Sequence, residues 1–257
     1  MVVARKERLS RLLNKVRVEQ HTTIDDLADF FHVSTVTIRR DIKELEKQEL
    51  IVQTVGGGVI YKTEHTGAVD PHSPSHAINE KIRIAEYCTE LVRNHDDILI
   101  GPGTTTFLVG KILSGITDRN FRIITNSLEL AMETGSAPNI RTVVLGGEVR
   151  NKYAVGYNGG VEYFTKCHRH HTLLLSADGV DLEAGITIFE THLIPIVLAM
   201  RSVSDRVILT VDSSKCGVAR YNNVARFEDI DIVVTDVDIP GEYRERIEAA
   251  GARLVTV

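Results

Sequence analysis

Along the first sixty residues the apolar positions recur at helical spacing and then change to alternation. Leu9, Leu12, Leu13 and Val16 repeat every three or four residues, which predicts a helix over residues 5–17. After a polar break at 19–22, Thr23 stands as an N-cap before Ile24-Asp25-Asp26, where two acids meet the positive end of the helix dipole. Ile24, Leu27, Ala28 and Phe31 give that helix one apolar face. A break at 31–33 leads to Ser34, a second N-cap. The next helix turns Val36, Ile38, Ile42 and Leu45 inward and Thr35, Thr37, Arg39, Arg40 and Lys43 outward. Residues 50–54 then alternate as a strand, Val55-Gly56-Gly57-Gly58 turns, and Val59-Ile60-Tyr61 returns.

Two short helices joined by a tight turn, the second with Thr and Arg near its start, describe a helix-turn-helix. Thr hydroxyls and a helix N-terminus can hold phosphate oxygens, and an Arg can fork onto guanine O6 and N7. The expected contacts to double-stranded DNA are Ser34, Thr35, Thr37, Arg39, Arg40 and Lys43, with Gly57 at the tip of a hairpin wing. A plain three-helix bundle with solvated charges is the alternative. It would not need Thr37-Ile38-Arg39-Arg40-Asp41 followed by a glycine-tipped hairpin. Asp41 is expected to orient Arg39 or Arg40 rather than to touch DNA.

Between residues 63 and 76 the period is lost and Pro71 and Pro74 interrupt the chain, as in a linker or extended arm. His65, His72 and His76 within it read as solvated. From residue 77 helices (77–92, 104–113, 127–133, 191–203, 241–250) alternate with apolar strands (98–100, 121–125, 141–145, 172–177, 206–211, 231–235, 253–257). This predicts a mostly parallel, Rossmann-like α/β sheet covered on both faces. The expected organisation is a winged helix-turn-helix over 1–62, a linker over 63–76 and an α/β domain over 77–257.

Polar segments follow the predicted strands: Gly101-Pro102-Gly103-Thr104-Thr105-Thr106, Thr125-Asn126-Ser127, Gly146-Gly147-Glu148-Val149-Arg150, Asp178-Gly179-Val180-Asp181 and Asp212-Ser213-Ser214-Lys215. In a parallel sheet these loops share the carboxyl-end rim, where α/β proteins bind ligands. Gly103, Thr104, Thr105 and Thr106 open a helix whose unpaired N–H groups and dipole favour a phosphate, and Lys215 adds positive charge. Asn126, Glu148, Arg150, Asp178 and Asp181 are the candidates for the remainder of the guest. The glycine loop is neither a Walker A sequence nor G-x-G-x-x-G, since residue 106 is Thr.

The formal charge of −5 looks wrong for a nucleic-acid binder until the chain is divided. Residues 1–62 hold 11 Lys and Arg against 9 Asp and Glu, whereas the other 195 residues hold 19 against 26. A slightly basic head on an acidic body suits a protein whose head alone meets phosphate. There is no signal-peptide pattern and no apolar run of membrane length, and the three cysteines are odd in number and far apart. A cytoplasmic protein without membrane attachment is expected.

The ordered set Thr35-Val36-Thr37-Ile38-Arg39-Arg40-Asp41, Gly56-Gly57-Gly58, Gly103-Thr104-Thr105, Thr125-Asn126-Ser127, Gly146-Gly147, Ala177-Asp178-Gly179 and Asp212-Ser213-Ser214-Lys215 resembles the DeoR family of bacterial regulators over nearly the whole chain. The resemblance implies a winged helix-turn-helix repressor of carbohydrate-utilisation genes, modulated by a phosphorylated sugar and acting as a homo-oligomer, a dimer or tetramer. It implies no cofactor. The family's sensor domain is similar to ribose-5-phosphate isomerase, whose acidic loop Asp178-Gly179-Val180-Asp181 resembles and whose general base Glu190 could match. The segment that carries that enzyme's essential lysine reads Leu182-Glu183-Ala184-Gly185-Ile186-Thr187, with no cation to stabilise an enediolate oxyanion. A sugar-phosphate isomerase is therefore the lesser alternative, and Asp178, Asp181 and Glu190 are read as acceptors for sugar hydroxyls. Gly101-Pro102 stands where family members often carry an Asp and a small residue, so the hydroxyl pattern read here need not be a relative's.

Two further features are weighed. Cys167-His168-Arg169-His170-His171 is packed too closely for separated pairs of zinc ligands, so no metal is expected. Cys216 beside Lys215 is either an oxidation-sensitive thiol of lowered pKa or a plain small residue, and the second is preferred.

Overall fold

The computed structural model describes residues 5–19, 21–47, 51–53, 58–61, 77–94, 96–150, 153–155 and 171–257. The chain forms two compact units, Met1–Asn79 and Glu80–Val257.

The first unit comprises α1 (Arg5–Glu19), β1 (His21–Thr23), α2 (Ile24–Phe31), α3 (Thr35–Lys47), β2 (Ile51–Gln53) and β3 (Gly58–Tyr61). Thr23 and Asp26 close a capping box: the Thr23 hydroxyl accepts from Asp26 N–H at 3.1 Å, and the Asp26 carboxylate accepts from Thr23 N–H at 3.3 Å. The tight turn comes from His32, a left-handed residue at φ 51° whose N–H reaches back to the last carbonyls of α2. Leu12, Val16, Leu27, Phe31, Ile38, Ile42 and Leu45 pack from the three helices onto Ile51 and Val59 of the strands. The strands form an antiparallel sheet in the order β1-β3-β2. Strand β1 falls on the expected polar break. His-Thr-Thr has no apolar alternation, and its pairing with β3 makes it a strand.

Two side-chain directions differ from expectation. Val36 is 59% exposed, because the buried stripe of α3 is Ile38, Asp41, Ile42 and Leu45, and Val36 lies outside that register. Asp41 occupies the stripe itself, is 1% exposed, and pairs with α1 rather than with Arg39 or Arg40.

In the second unit α4 (Ile78–Leu91) begins at the boundary and is followed by β4 (Asp97–Ile100), α5 (Thr104–Ser114), β5 (Phe121–Thr125), α6 (Leu128–Thr134) and β6 (Ile140–Val144). Next come a hairpin of β7 (Glu148–Arg150) and β8 (Tyr153–Val155), then β9 (His171–Leu175), β10 (Gly179–Asp181) and β11 (Gly185–Ile188). The chain ends with α7 (Ile194–Ser202), β12 (Ser204–Thr210), β13 (Asn222–Ala225), β14 (Ile232–Thr235), α8 (Gly241–Ala249) and β15 (Arg253–Thr256). Seven strands pair in parallel in the order β15-β14-β12-β9-β4-β5-β6. These are the seven apolar runs read from the sequence. Strand β9 is buried at every residue, as a central strand covered on both faces must be. The additional antiparallel sheet β10-β11-β13 was not expected. Its strands are three or four residues long, too short for a pattern to register.

From β4 the chain steps outward to β5 and β6, and from β9 it steps the other way to β12, β14 and β15. The order therefore reverses between β4 and β9. Beyond the carboxyl ends of these two strands lies the crevice that such a reversal opens.

Candidate functional site

In the first unit, Arg39, Arg40 and Lys43 stand exposed on α3, with Thr35 and Thr37 half-buried at its start. Ser34 caps the helix: its hydroxyl accepts from Thr37 N–H at 3.3 Å and lies 3.0 Å from the Thr37 hydroxyl. These six residues form one polar, basic face. Gly57 and the wing tip lie outside the described residues. Beneath that face, Arg8 Nε donates to Asp41 Oδ2 at 2.6 Å and Arg5 Nε to Asp41 Oδ1 at 3.4 Å. The one acid buried under α3 is thus matched by α1.

In the second unit the crevice is walled by the glycine turn and the end of β9. Gly101 N–H donates to Leu174 O, and a Cβ on Gly103 would collide with Ser176 Cβ and lie 2.8 Å from its Oγ. Only glycine lets the turn come this close. Thr104 is half-exposed and Thr105 is buried to 2%. Thr106, expected to bind phosphate, instead donates to Gly101 O at 2.9 Å and Gly103 O at 3.0 Å, so its proton braces the turn. Thr125 does the same between strands, donating to Ile100 O at 2.8 Å. Asn126 beside it is fully buried.

On the other wall Asp178 Oδ2 accepts from Phe189 N–H at 2.8 Å, which holds Glu190 close by, and Glu190 lies 3.1 Å from His192 Nδ1. A parallel bridge between Val180 and Cys216 sets Lys215, which is 5% exposed, alongside the loop after β9. Gly103, Asp178 and Lys215 thus follow the adjacent strands β4, β9 and β12, and Glu190 follows β11, tied to Asp178 through Phe189.

Three expected partners are not gathered. Asp181 sits at the far end of β10, roughly 10 Å along the strand from Asp178, and its Oδ1 accepts from the N–H groups of Glu183 and Ala184. It closes the β10–β11 turn instead. Glu148 and Arg150 belong to the β7–β8 hairpin, a separate two-stranded sheet that follows edge strand β6. That strand is three places from β9, about 14 Å at the usual strand spacing. The surroundings of Cys216 oppose a lowered thiol pKa. Burial, then Asp236, Asp212 and Glu242, push its thiol up to about 12.

Residues 8–64 match the DeoR-like helix-turn-helix domain, and residues 76–237 match the DeoR C terminal sensor domain. The chain belongs to the DeoR family. A protein of Escherichia coli O157:H7 named as an aga operon transcriptional repressor is 27% identical over all of this chain and 95% of its own length. The glycerol-3-phosphate regulon repressor of Escherichia coli K12 is 28% identical over 91% of this chain and 92% of that protein. Among solved structures, ribose 5 phosphate isomerase A from Neisseria gonorrhoeae aligns with a TM-score of 0.39 and 18% identity, covering 56% of this chain and 55% of that one. This DeoR-family protein is a DNA-binding transcriptional regulator with a C-terminal sensor.

Two cations of the sensor were missed by sequence reading. Arg220 N–H donates to the Thr187 hydroxyl and its Nε to Asp178 O at 3.4 Å, which puts a guanidinium against the acidic wall. Lys81 in α4 is 1% exposed. The last carbonyls of α4 accept from Arg119, just before β5, and from Arg206, near the start of β12. The last turn of α4 is therefore anchored near the amino ends of β5 and β12, and Lys81 lies in the opposite, first turn of the helix. The signal was available: Lys81 falls in register with buried Ile78, Ala85 and Cys88. A lysine in an apolar stripe is a buried lysine. Among the described residues no group of three potential ligands is arranged to hold a metal, and no helix is long and apolar enough to cross a membrane.

Proposed function

We propose that this regulator represses carbohydrate-utilisation genes from the cytoplasm as a homo-oligomer, and that a phosphorylated sugar in the β4/β9 crevice modulates its hold on the operator. The observation that carries the reading is the glycine turn at the start of α5, which comes so close to Ser176 at the end of β9 that only glycine fits. The first N–H groups of α5 and the positive end of its dipole suit a phosphate on the Gly103, Thr104 and Thr105 backbone, and Lys215 supplies positive charge. The sugar end meets Asp178, Glu190 and Arg220, whose acceptors and donors suit hydroxyls. Asn126, Asp181, Glu148 and Arg150 would join it only after rearrangement. Relatives named as repressors of the aga operon and of a glycerol-3-phosphate regulon support the same class of control.

On the DNA side, Arg39 and Arg40 read base edges, while Ser34, Thr35, Thr37 and Lys43 hold backbone phosphates, with Gly57 in the wing. Coupling is reciprocal: a sugar phosphate that weakens operator binding must itself bind more weakly to the DNA-bound protein. The sensor does no chemistry in this account, since residues 182–187 lack the lysine that an isomerase would use. Thermal unfolding with a panel of sugar phosphates and their parent sugars tests the crevice. One phosphate ester should raise the melting temperature of the sensor where its parent sugar does not, and Lys215→Met should abolish the gain. Equal shifts with and without phosphate would refute the cradle, and steady turnover of the ester would favour the isomerase.

A further inference from the structure

The groove between α1 and α3 holds more positive charge than the expected DNA contacts account for. Arg5, Thr37, Arg40, Lys43 and Lys47 line it over buried Arg8 and Asp41, with Glu44 at its edge. Five cations face two carboxylates there. Arg8 alone comes within 2.6 Å of Asp41 and is 8% exposed, so that pair is a closed, charge-neutral floor. Arg5 is placed differently. It reaches Asp41 at 3.4 Å and Glu44 at 3.9 Å, both long, and its side chain is 61% exposed. A guanidinium with five N–H donors, held loosely by two carboxylates at the mouth of a cationic groove, is steered but not consumed by them.

We propose that this groove docks the DNA phosphate backbone and that Arg5 is a phosphate ligand, aimed by Asp41 and Glu44. The assignment rests on the DNA-binding reading of α3. Arg40, Lys43 and Lys47 recur at helical spacing on its exposed side, so a strand that crosses their face passes the start of α1 as well. The chemistry of the partner follows from the lining. An Arg fork, ammonium groups and a Thr hydroxyl suit a polyanion with tetrahedral oxygens. Asp41, an acid in the middle of a helix meant for DNA, then has a use beyond packing: it turns one arginine inward as a floor and a second outward as a contact.

The experiment is a salt titration of full-length protein on a mixed-sequence DNA duplex, which needs no knowledge of the operator. Each phosphate contact contributes about one to the slope of log affinity against log salt. Arg5→Gln should lower the slope by about one and leave the melting temperature unchanged, since the residue is exposed. Glu44→Gln should tighten low-salt binding by removing a carboxylate from the groove. An unchanged slope in Arg5→Gln, with wild-type protein binding normally, would overturn the phosphate assignment and spare the DNA-binding reading. Failure of the wild type to bind any duplex in a salt-dependent way would take both down. Loss of sequence preference in Arg5→Gln, at constant slope, would make Arg5 a base reader and also contradict the proposal.

Discussion

In the N-terminal unit the functional side chains stand outward on one helix, and the charge beneath them is cancelled inside. In the C-terminal unit they lie at turns beyond strand ends, and the charges there, Lys81 and Lys215, are themselves buried. The first arrangement suits a partner larger than the protein, which must be met across an open surface. The second suits a small anion that replaces water within a crevice. In the proposed function the buried ion pair between α1 and α3 serves geometry, while Lys215 in the sensor serves binding.

The comparison can be broken at four places. Arg8→Ala strips the close partner from a carboxylate that is 1% exposed, and removing one member of such a pair costs about 3–5 kcal/mol. Urea unfolding should show the loss in the DNA-binding unit, with the sensor's own transition retained. Gly103→Ala places a Cβ against Ser176, and overpacking of this kind costs about 1–3 kcal/mol. It should blunt any response to sugar phosphate while DNA affinity survives, because the head is a separate compact unit. Arg39→Ala or Arg40→Ala should cost about 1–3 kcal/mol of operator binding at an unchanged melting temperature. Full affinity and unaltered preference in both would displace α3 as the reading helix.

The smallest effect concerns the thiols. Burial raises Cys88 to about 12, and burial with three nearby carboxylates does the same for Cys216. Their reactive thiolates are thus scarce at neutral pH, and labelling at Cys88 and Cys216 of the folded protein, resolved by peptide, should climb about tenfold per pH unit without levelling below pH 10. A plateau near pH 8 would restore Cys216 as an oxidant sensor.

Much of the architecture was legible because its signals are local. Seven continuous apolar runs gave the seven parallel strands, and 3.6-residue stripes gave the helices on either side of His32. What escaped depended on partners far along the chain. Asp41 is charged yet buried, because α1 supplies arginines 33 and 36 residues away, and it takes a place in the buried stripe that leaves Val36 exposed. The same reasoning covers the site. Gly103, Asp178 and Lys215 were proposed from loops that follow strands, and Glu190 from the family resemblance. Which loops meet was not legible, since strand order decides it, and β6, which precedes Glu148 and Arg150, lies at an edge three places from β9. Thr106 and Asp181 have the right chemistry but spend it on their own turns. Asp41 and Lys81 share one lesson, that a charge in register with an apolar stripe marks a buried interaction.

The most direct measurement is a titration of the purified protein on the DNA upstream of its own gene, repeated with a panel of sugar phosphates and their parent sugars. The account predicts that one phosphorylated compound shifts the affinity for that DNA, that its parent sugar does not, and that Lys215→Met removes the shift without altering ligand-free binding. Operator affinity indifferent to every phosphorylated sugar, in a protein that binds the DNA tightly, would contradict it.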